Sequence, residues 1–154
     1  MFYKYSISIL VLILFCFSCT DKTYDDNSNL DLVVKTGTVC GWCTINDTLT
    51  ISGTRIKYVN YANCNTVKPT VENGGELTTQ ELDALLKLLD FEELKKLDMN
   101  SCNVCMDGCD DWIFYKNGLQ THYLRFGTND PKLQPIRAFL DRLNSIKSQY
   151  SSNK

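Results

Sequence analysis

The chain has 154 residues, a formal net charge of −2 and no concentrated run of Lys or Arg. With no basic–aromatic stripe in the linear sequence either, this argues against nucleic acid as a partner, because phosphate binding needs clustered cations. Eight cysteines beside a single histidine point toward thiol or disulfide chemistry rather than imidazole chemistry.

The chain opens on Met1-Phe2-Tyr3-Lys4 and then an apolar run, Ile7 to Ser18, broken only by serine. A membrane-spanning helix needs about 20 predominantly apolar residues, and this run is shorter. Thr20, Asp21 and Lys22 follow at once, so the pattern is that of a cleaved secretory leader. The ending Phe15-Cys16-Phe17-Ser18-Cys19 resembles the lipobox of bacterial lipoproteins, in particular the Ser-Cys form common in Bacteroidota. The resemblance implies a signal peptide over 1–18, lipid on the thiol of Cys19 and anchoring in the cell envelope at the outer membrane, with the membrane itself as a partner. Two or three acyl chains hold firmly, since each buried methylene contributes about 0.8 kcal/mol. Residues 19–29 are polar and acidic and read as a flexible tether.

Beyond the tether, residues 30–148 are expected to form one domain, large enough to bury a core, with a polar tail over 149–154. Leu30 to Val34 alternates briefly, as a first edge strand would. Thr44 to Ile51 is rich in β-branched residues, Ser52-Gly53 turns the chain, and Arg55 to Tyr61 continues the β pattern, which predicts a hairpin. Glu72-Asn73-Gly74-Gly75-Glu76 reads as punctuation. Thr78 and Glu81 form a capping box ahead of Leu82, Leu85, Leu86 and Leu89 at helical spacing. Asp90 is placed to cap a second short helix carrying Phe91, Leu94 and Leu97.

A cysteine-rich loop from Asp98 to Asp111 precedes the strongest hairpin, in which Asn117-Gly118 separates Asp111 to Lys116 from Leu119 to Phe126. A type I′ turn at that dipeptide sets His122 opposite Ile113. The last helix starts near Asp130-Pro131 or Pro135 and carries Ile136, Phe139, Leu140, Leu143 and Ile146. The expected class is therefore α+β: an antiparallel sheet built from hairpins, two main helices packed on one face, and disulfide staples.

Six cysteines remain in the exported domain: Cys40, Cys43, Cys64, Cys102, Cys105 and Cys109. In an oxidising compartment an even number means disulfides first, with bridges expected between the start of the first hairpin and the 102–109 loop. Two alternatives use Cys40-x-x-Cys43. It has the spacing of a thiol–disulfide centre, but the helix that would lower the thiol pKa is missing. With Cys102-x-x-Cys105 it supplies four thiolates for zinc, although the pairs lie far apart and two cysteines are left over. The oxygen ligands of the loop (Asp98, Asn100, Asn103, Asp107, Asp110, Asp111) lack the order of an EF-hand, so a solvated loop pinned by disulfides accounts for them better than calcium.

Other catalytic patterns are weak. His122 has no Gly-x-Ser-x-Gly elbow to supply a nucleophile. The adjacent pairs Glu92/Glu93 and Asp110/Asp111 do not identify a glycosidase cleft, and Gly74-Gly75 lacks the Lys-Ser/Thr of a phosphate loop. No catalytic residue, metal site or cofactor is assigned. The aromatics Trp112, Phe114, Tyr115, Tyr123 and Phe126 crowd one hairpin, with Tyr58 and Tyr61 on another, and divide between core packing and a binding face for protein or glycan. The function expected is a non-enzymatic binding or envelope-structural lipoprotein. The alternatives are a thiol-redox or zinc protein and an inhibitor or immunity lipoprotein.

Overall fold

Period-two alternation of apolar side chains builds the sheet, and the computed structural model describes residues 31–61 and 69–152, apart from the side chain of Cys43. The leader, the tether with Cys19, and Cys64 lie outside the described residues. Among the described residues six strands are present: β1 (Val33–Cys40), β2 (Asp47–Ser52), β3 (Arg55–Asn60), β4 (Val71–Glu76), β5 (Cys109–Asn117) and β6 (Gln120–Phe126). They pair antiparallel in the order β4-β3-β2-β1-β5-β6. The described residues also form three α-helices: α1 (Thr79–Leu86), α2 (Phe91–Lys96) and α3 (Arg137–Ser151). The class is α+β, as the hairpin and helix patterns predict.

One face of the sheet makes the core. Val34, Leu49, Ile51, Ile56, Tyr58, Ile113, Tyr115, Leu124 and Phe126 point to it and are buried. The stripe Phe139, Leu140, Leu143 and Ile146 of α3, with Leu82 and Leu85 of α1 and Leu94 of α2, covers them. Burying each such side chain contributes roughly 1.5–3 kcal/mol, which is why a strip of strands with one apolar face requires this helical layer. The capping box at Thr78 is closed from both sides: Glu81 N donates to Thr78 Oγ1, and Thr78 N donates to Glu81 Oε2. Asp90 caps α2 by accepting from the amides of Glu92 and Glu93.

Four sequence expectations change. The first strand is not an edge over 30–34; it runs Val33–Cys40 at the centre, between β2 and β5. Its threonines hid it from an apolar pattern, and they are satisfied by specific bonds: Thr36 Oγ1 donates to Trp112 O, and Thr38 N to Asp47 Oδ1. The Glu72-Asn73-Gly74-Gly75-Glu76 segment belongs to edge strand β4. Glu72 and Glu76 suit an exposed edge, and a side chain at Gly75 would overlap the Tyr150 ring of α3. The last helix, reached through a 3₁₀ turn over Pro131–Ile136, continues to Ser151, so residues 149–151 are its final turn rather than tail.

The fourth change is a register. Asn117 pairs with Gln120, so the turn residues are Gly118 and Leu119, and only Gly118 has positive φ (57°). Positive φ at the first central position alone is the type II′ pattern, not the type I′ that Asn-Gly suggested. His122 therefore stands opposite Tyr115, not Ile113. The first hairpin closes the same way, with Gly53 at φ 56° between Ser52 and its partner Arg55.

Candidate functional site

The cysteines hold the end of the sheet at which β1 leaves and β5 begins. Cys40 and Cys109 face each other across these strands and are joined, Cα to Cα 4.0 Å, closing a separation of 69 residues. Cys102 is joined to Cys105 across a 3₁₀ turn. A bridge does run from ahead of the first hairpin into the 102–109 loop, as expected. The same pairing divides the Cys40, Cys43, Cys102 and Cys105 set that a tetrahedral zinc centre would need. It also gives Cys40 a partner other than Cys43. Among the described residues no group of three or more His, Cys, Asp or Glu side chains is arranged for a metal ion.

The acidic loop is organised around one carboxylate. Asp110 is fully buried. Its Oδ1 accepts from Ser101 Oγ (2.7 Å), Asn103 N (3.1 Å) and Asn103 Nδ2 (3.0 Å). Its Oδ2 accepts from Val104 N (3.2 Å), Arg125 Nε (3.2 Å) and Arg125 Nη2 (3.0 Å). Burial pushes this carboxyl up, but the bonds from Ser101, Val104 and Asn103 and the charge of Arg125 outweigh it and hold the group below the usual carboxylate range. Both oxygens are thus committed to protein donors that fold the loop onto β5 and β6. Asp111 points to the opposite face and accepts from Thr38 Oγ1 (2.6 Å) and Thr128 Oγ1 (2.8 Å), so the adjacent carboxylates diverge.

The remaining catalytic candidates are occupied in structural roles. His122 Nε2 donates to the carbonyl of Leu97 at 3.0 Å, tying edge strand β6 to the segment after α2. Glu92 and Glu93 form ion pairs with Lys95 and Lys96 on the exposed side of α2. Asp47 is buried beside Lys147 of α3 at 3.3 Å, and its charge, after burial itself, helps push the Tyr58 phenol up. A cleft of about 180 Å³ between α3 and the end of β5–β6 is lined by Asp111, Thr128, Asn129, Arg137, Asp141 and Asn144. Arg137 there is held in place by donating to the carbonyls of Thr128 and Asp130, which uses two of its five N–H donors. Among the described residues every buried side-chain nitrogen and oxygen has a hydrogen-bond partner.

The outer face of the sheet is left uncovered by the α-helices of the described residues, with the 3₁₀ turn over Asn103–Met106 lying only against its Asp110 end. The aromatics of the β5–β6 hairpin divide by parity: Tyr115 and Phe126 enter the core, whereas Trp112, Phe114 and Tyr123 face outward. Tyr123 is 51% exposed. Its ring lies 6.3 Å from that of Trp112, tilted by 30°. Trp112 lies against Gly37 of β1, where a Cβ would come within 2.8 and 2.9 Å of its ring carbons. Glycine at that position lets the indole lie flat on the strand.

The register also gathers cations that the linear sequence scatters. Lys57, Thr50, Lys35, Phe114 and Tyr123 form one cross-strand row. Arg55, Ser52, Val33, Lys116 and Thr121 form the next. Lys35 Nζ stands 6.0 Å from the Phe114 ring centre. Lys57 pairs with Glu72 at 2.6 Å, but among the described residues no ion pair engages Lys35, Arg55 or Lys116. A basic–aromatic surface therefore exists where the sequence, read linearly, had none. Beside it a groove of about 330 Å³ runs over Thr50, Ser52, Arg55, Ile56 and Lys57.

Comparison with protein-family models and with curated proteins returns no match for this chain.

Proposed function

We propose that this chain is an exported, lipid-anchored, non-enzymatic module that binds a glycan of the cell envelope on the outer face of its sheet. The observation that carries this reading is the cluster of aromatic side chains on the one sheet face that the core does not use. Trp112, Phe114 and Tyr123 point away from the hydrophobic cluster, so folding does not require aromatic rings there. A flat ring partly open to water offers an apolar face that stacks on the C–H face of a sugar, while the neighbouring Thr48, Thr50 and Thr121 hydroxyls supply hydrogen bonds. The anchor is the thiol of Cys19, followed by the tether over 19–29, with the domain held outside the cytoplasm. Among the described residues no helix is long and apolar enough to cross a membrane.

The bridged cysteines Cys40, Cys102, Cys105 and Cys109 and the committed carboxylates of Asp110 and Asp111 support a binding role over a catalytic one, because each has a structural partner. The test has two arms. Cys19→Ser is expected to release the protein from the membrane fraction and abolish incorporation of labelled palmitate. Phe114→Ser with Tyr123→Ala is expected to abolish retention on immobilised oligosaccharides, with the far-ultraviolet spectrum unchanged. A double variant that still binds the wild type's glycans as tightly, or a wild type retained by no glycan, refutes the reading. In the second case, capture of a single stoichiometric protein through the same face would identify a protein partner instead.

A further inference from the structure

Building on the glycan reading, we infer that the outer face selects acidic glycans, polymers bearing uronate or phosphate groups, through Lys35, Arg55 and Lys116. The chain as a whole carries a formal charge of −2, so a cationic face is not a by-product of an excess of basic residues. By register five cations stand on this face, and ion pairs neutralise Lys57, with Glu72, and Arg125, with Asp110, which leaves Lys35, Arg55 and Lys116. Arg55 stands across from Glu76 in the β3–β4 register without an ion pair between them. Lys35 and Lys57 sit two strands apart with Thr50 between them, which sets their backbones roughly 10 Å apart. Lys116 and Arg55 are three strands apart in the adjoining row.

Such an array presents charge at intervals along a flat surface rather than in one pocket. It suits a polymer with a repeating anionic group better than a single small anion. The aromatics lie on the same rows: Phe114 is the direct neighbour of Lys35, and Tyr123 follows it. One residue of the polymer can stack on the ring while the carboxylate or phosphate of the next meets an ammonium or guanidinium. Arg55 adds a planar fork that binds a carboxylate through two parallel bonds. Thr50 and Ser52 supply hydroxyls in the groove between the cations.

The experiment is affinity electrophoresis and calorimetry on the full exported chain. The probes are a polygalacturonate oligosaccharide, a neutral oligosaccharide of equal length, oligothymidylate and poly-glutamate, compared for wild type, Lys35→Gln/Arg55→Gln and Phe114→Ser/Tyr123→Ala. The expected result is binding of the uronate polymer that weakens on the order of tenfold in the Lys35→Gln/Arg55→Gln variant. It should also weaken steeply with salt, and disappear in the aromatic variant. Uronate binding unchanged in the charge variant overturns the inference, and so does equal binding of oligothymidylate or poly-glutamate, which would make the face a general polyanion surface. Binding of the neutral sugar alone, lost in the aromatic variant, overturns acid selection but leaves the glycan reading standing. Retention of no sugar overturns both.

Discussion

Replacing Asp110 by Asn keeps the shape of a buried, heavily bonded side chain while removing its charge. Six donor contacts converge on the two oxygens, from Ser101, Asn103, Val104 and Arg125. The amide of Asn would turn an N–H₂ toward one of these two sets of contacts, leaving N–H donors unsatisfied whichever way it is oriented, because backbone and guanidinium N–H groups cannot accept in return. Hydrogen bonds to a charged group contribute roughly 1.5–3 kcal/mol each, and a broken buried ion pair costs about 3–5 kcal/mol because the surviving charge is stranded. Arg125 is only partly buried and can recover some hydration, so the expected loss for Asp110→Asn is about 3 kcal/mol, at the lower end of that range. Urea titration followed by tryptophan fluorescence measures it, since Trp112 stands two residues away on the same strand. The wild type should show a matching acid dependence. Because the folded carboxyl titrates below its unfolded value of about 3.9, its contribution is complete above that pH and is lost as the pH falls through the folded pKa. The Asn variant should lack this component of the acid transition. A variant within about 0.5 kcal/mol of wild type, with an unchanged acid limb, would refute the view that this carboxylate organises the loop.

Removing the Cys40–Cys109 bridge as a double Ala variant is expected to cost about 4 kcal/mol, and the short Cys102–Cys105 bridge about 2 kcal/mol, on loop-entropy grounds; paired denaturation curves compare the two. These bridges leave Cys43 and Cys64 as the remaining cysteines of the domain, and intact mass should show six alkylations only after reduction, which free thiols or retained zinc would contradict. Gly37→Ala should cost about 1–3 kcal/mol, because the new Cβ overlaps the carbonyl of Asp47 and presses on Trp112, and a red-shifted indole emission would report the displaced ring. Thr78→Ala should cost about 1 kcal/mol of thermal stability by opening the capping box of α1.

Where local chemistry decides an element, the linear sequence announced it. The capping box at Thr78 and Glu81, the Asp90 cap and the leucine spacing of α1 depend on neighbours a few positions away, and each formed as those patterns predict. The β5–β6 hairpin was visible for the same reason, although its turn type was not. Asn-Gly permits more than one placement of positive φ, and the choice of Gly118 as first central residue moved the register so that His122 meets Tyr115. Elements decided by distant partners were less legible. Strand β1 owes its central place to β2 and β5 on either side and to threonines whose hydroxyls and amides find bonds across the sheet. Strand β4 owes its Gly75 to Tyr150, more than seventy positions later.

The outer face is the extreme case of this dependence on pairing. Lys35, the pair Arg55 and Lys57, and Lys116 come from three separate strands, and only Arg55 and Lys57 lie close together in the sequence. They share a surface only because β1 sits between β2 and β5, a placement no local pattern encodes. Within that surface Gly37 has a particular consequence. Glycine in a central strand lowers its stability and offers no side chain to pack, so the position needs a reason that repays the loss. The overlap with Trp112 and with the Asp47 carbonyl supplies one, since any larger residue would lift the indole off the sheet. A strand interior that gives up a side chain to keep a tryptophan flat on a solvent-facing surface fits a surface shaped for contact, and the row of unpaired cations beside it gives that contact its sign.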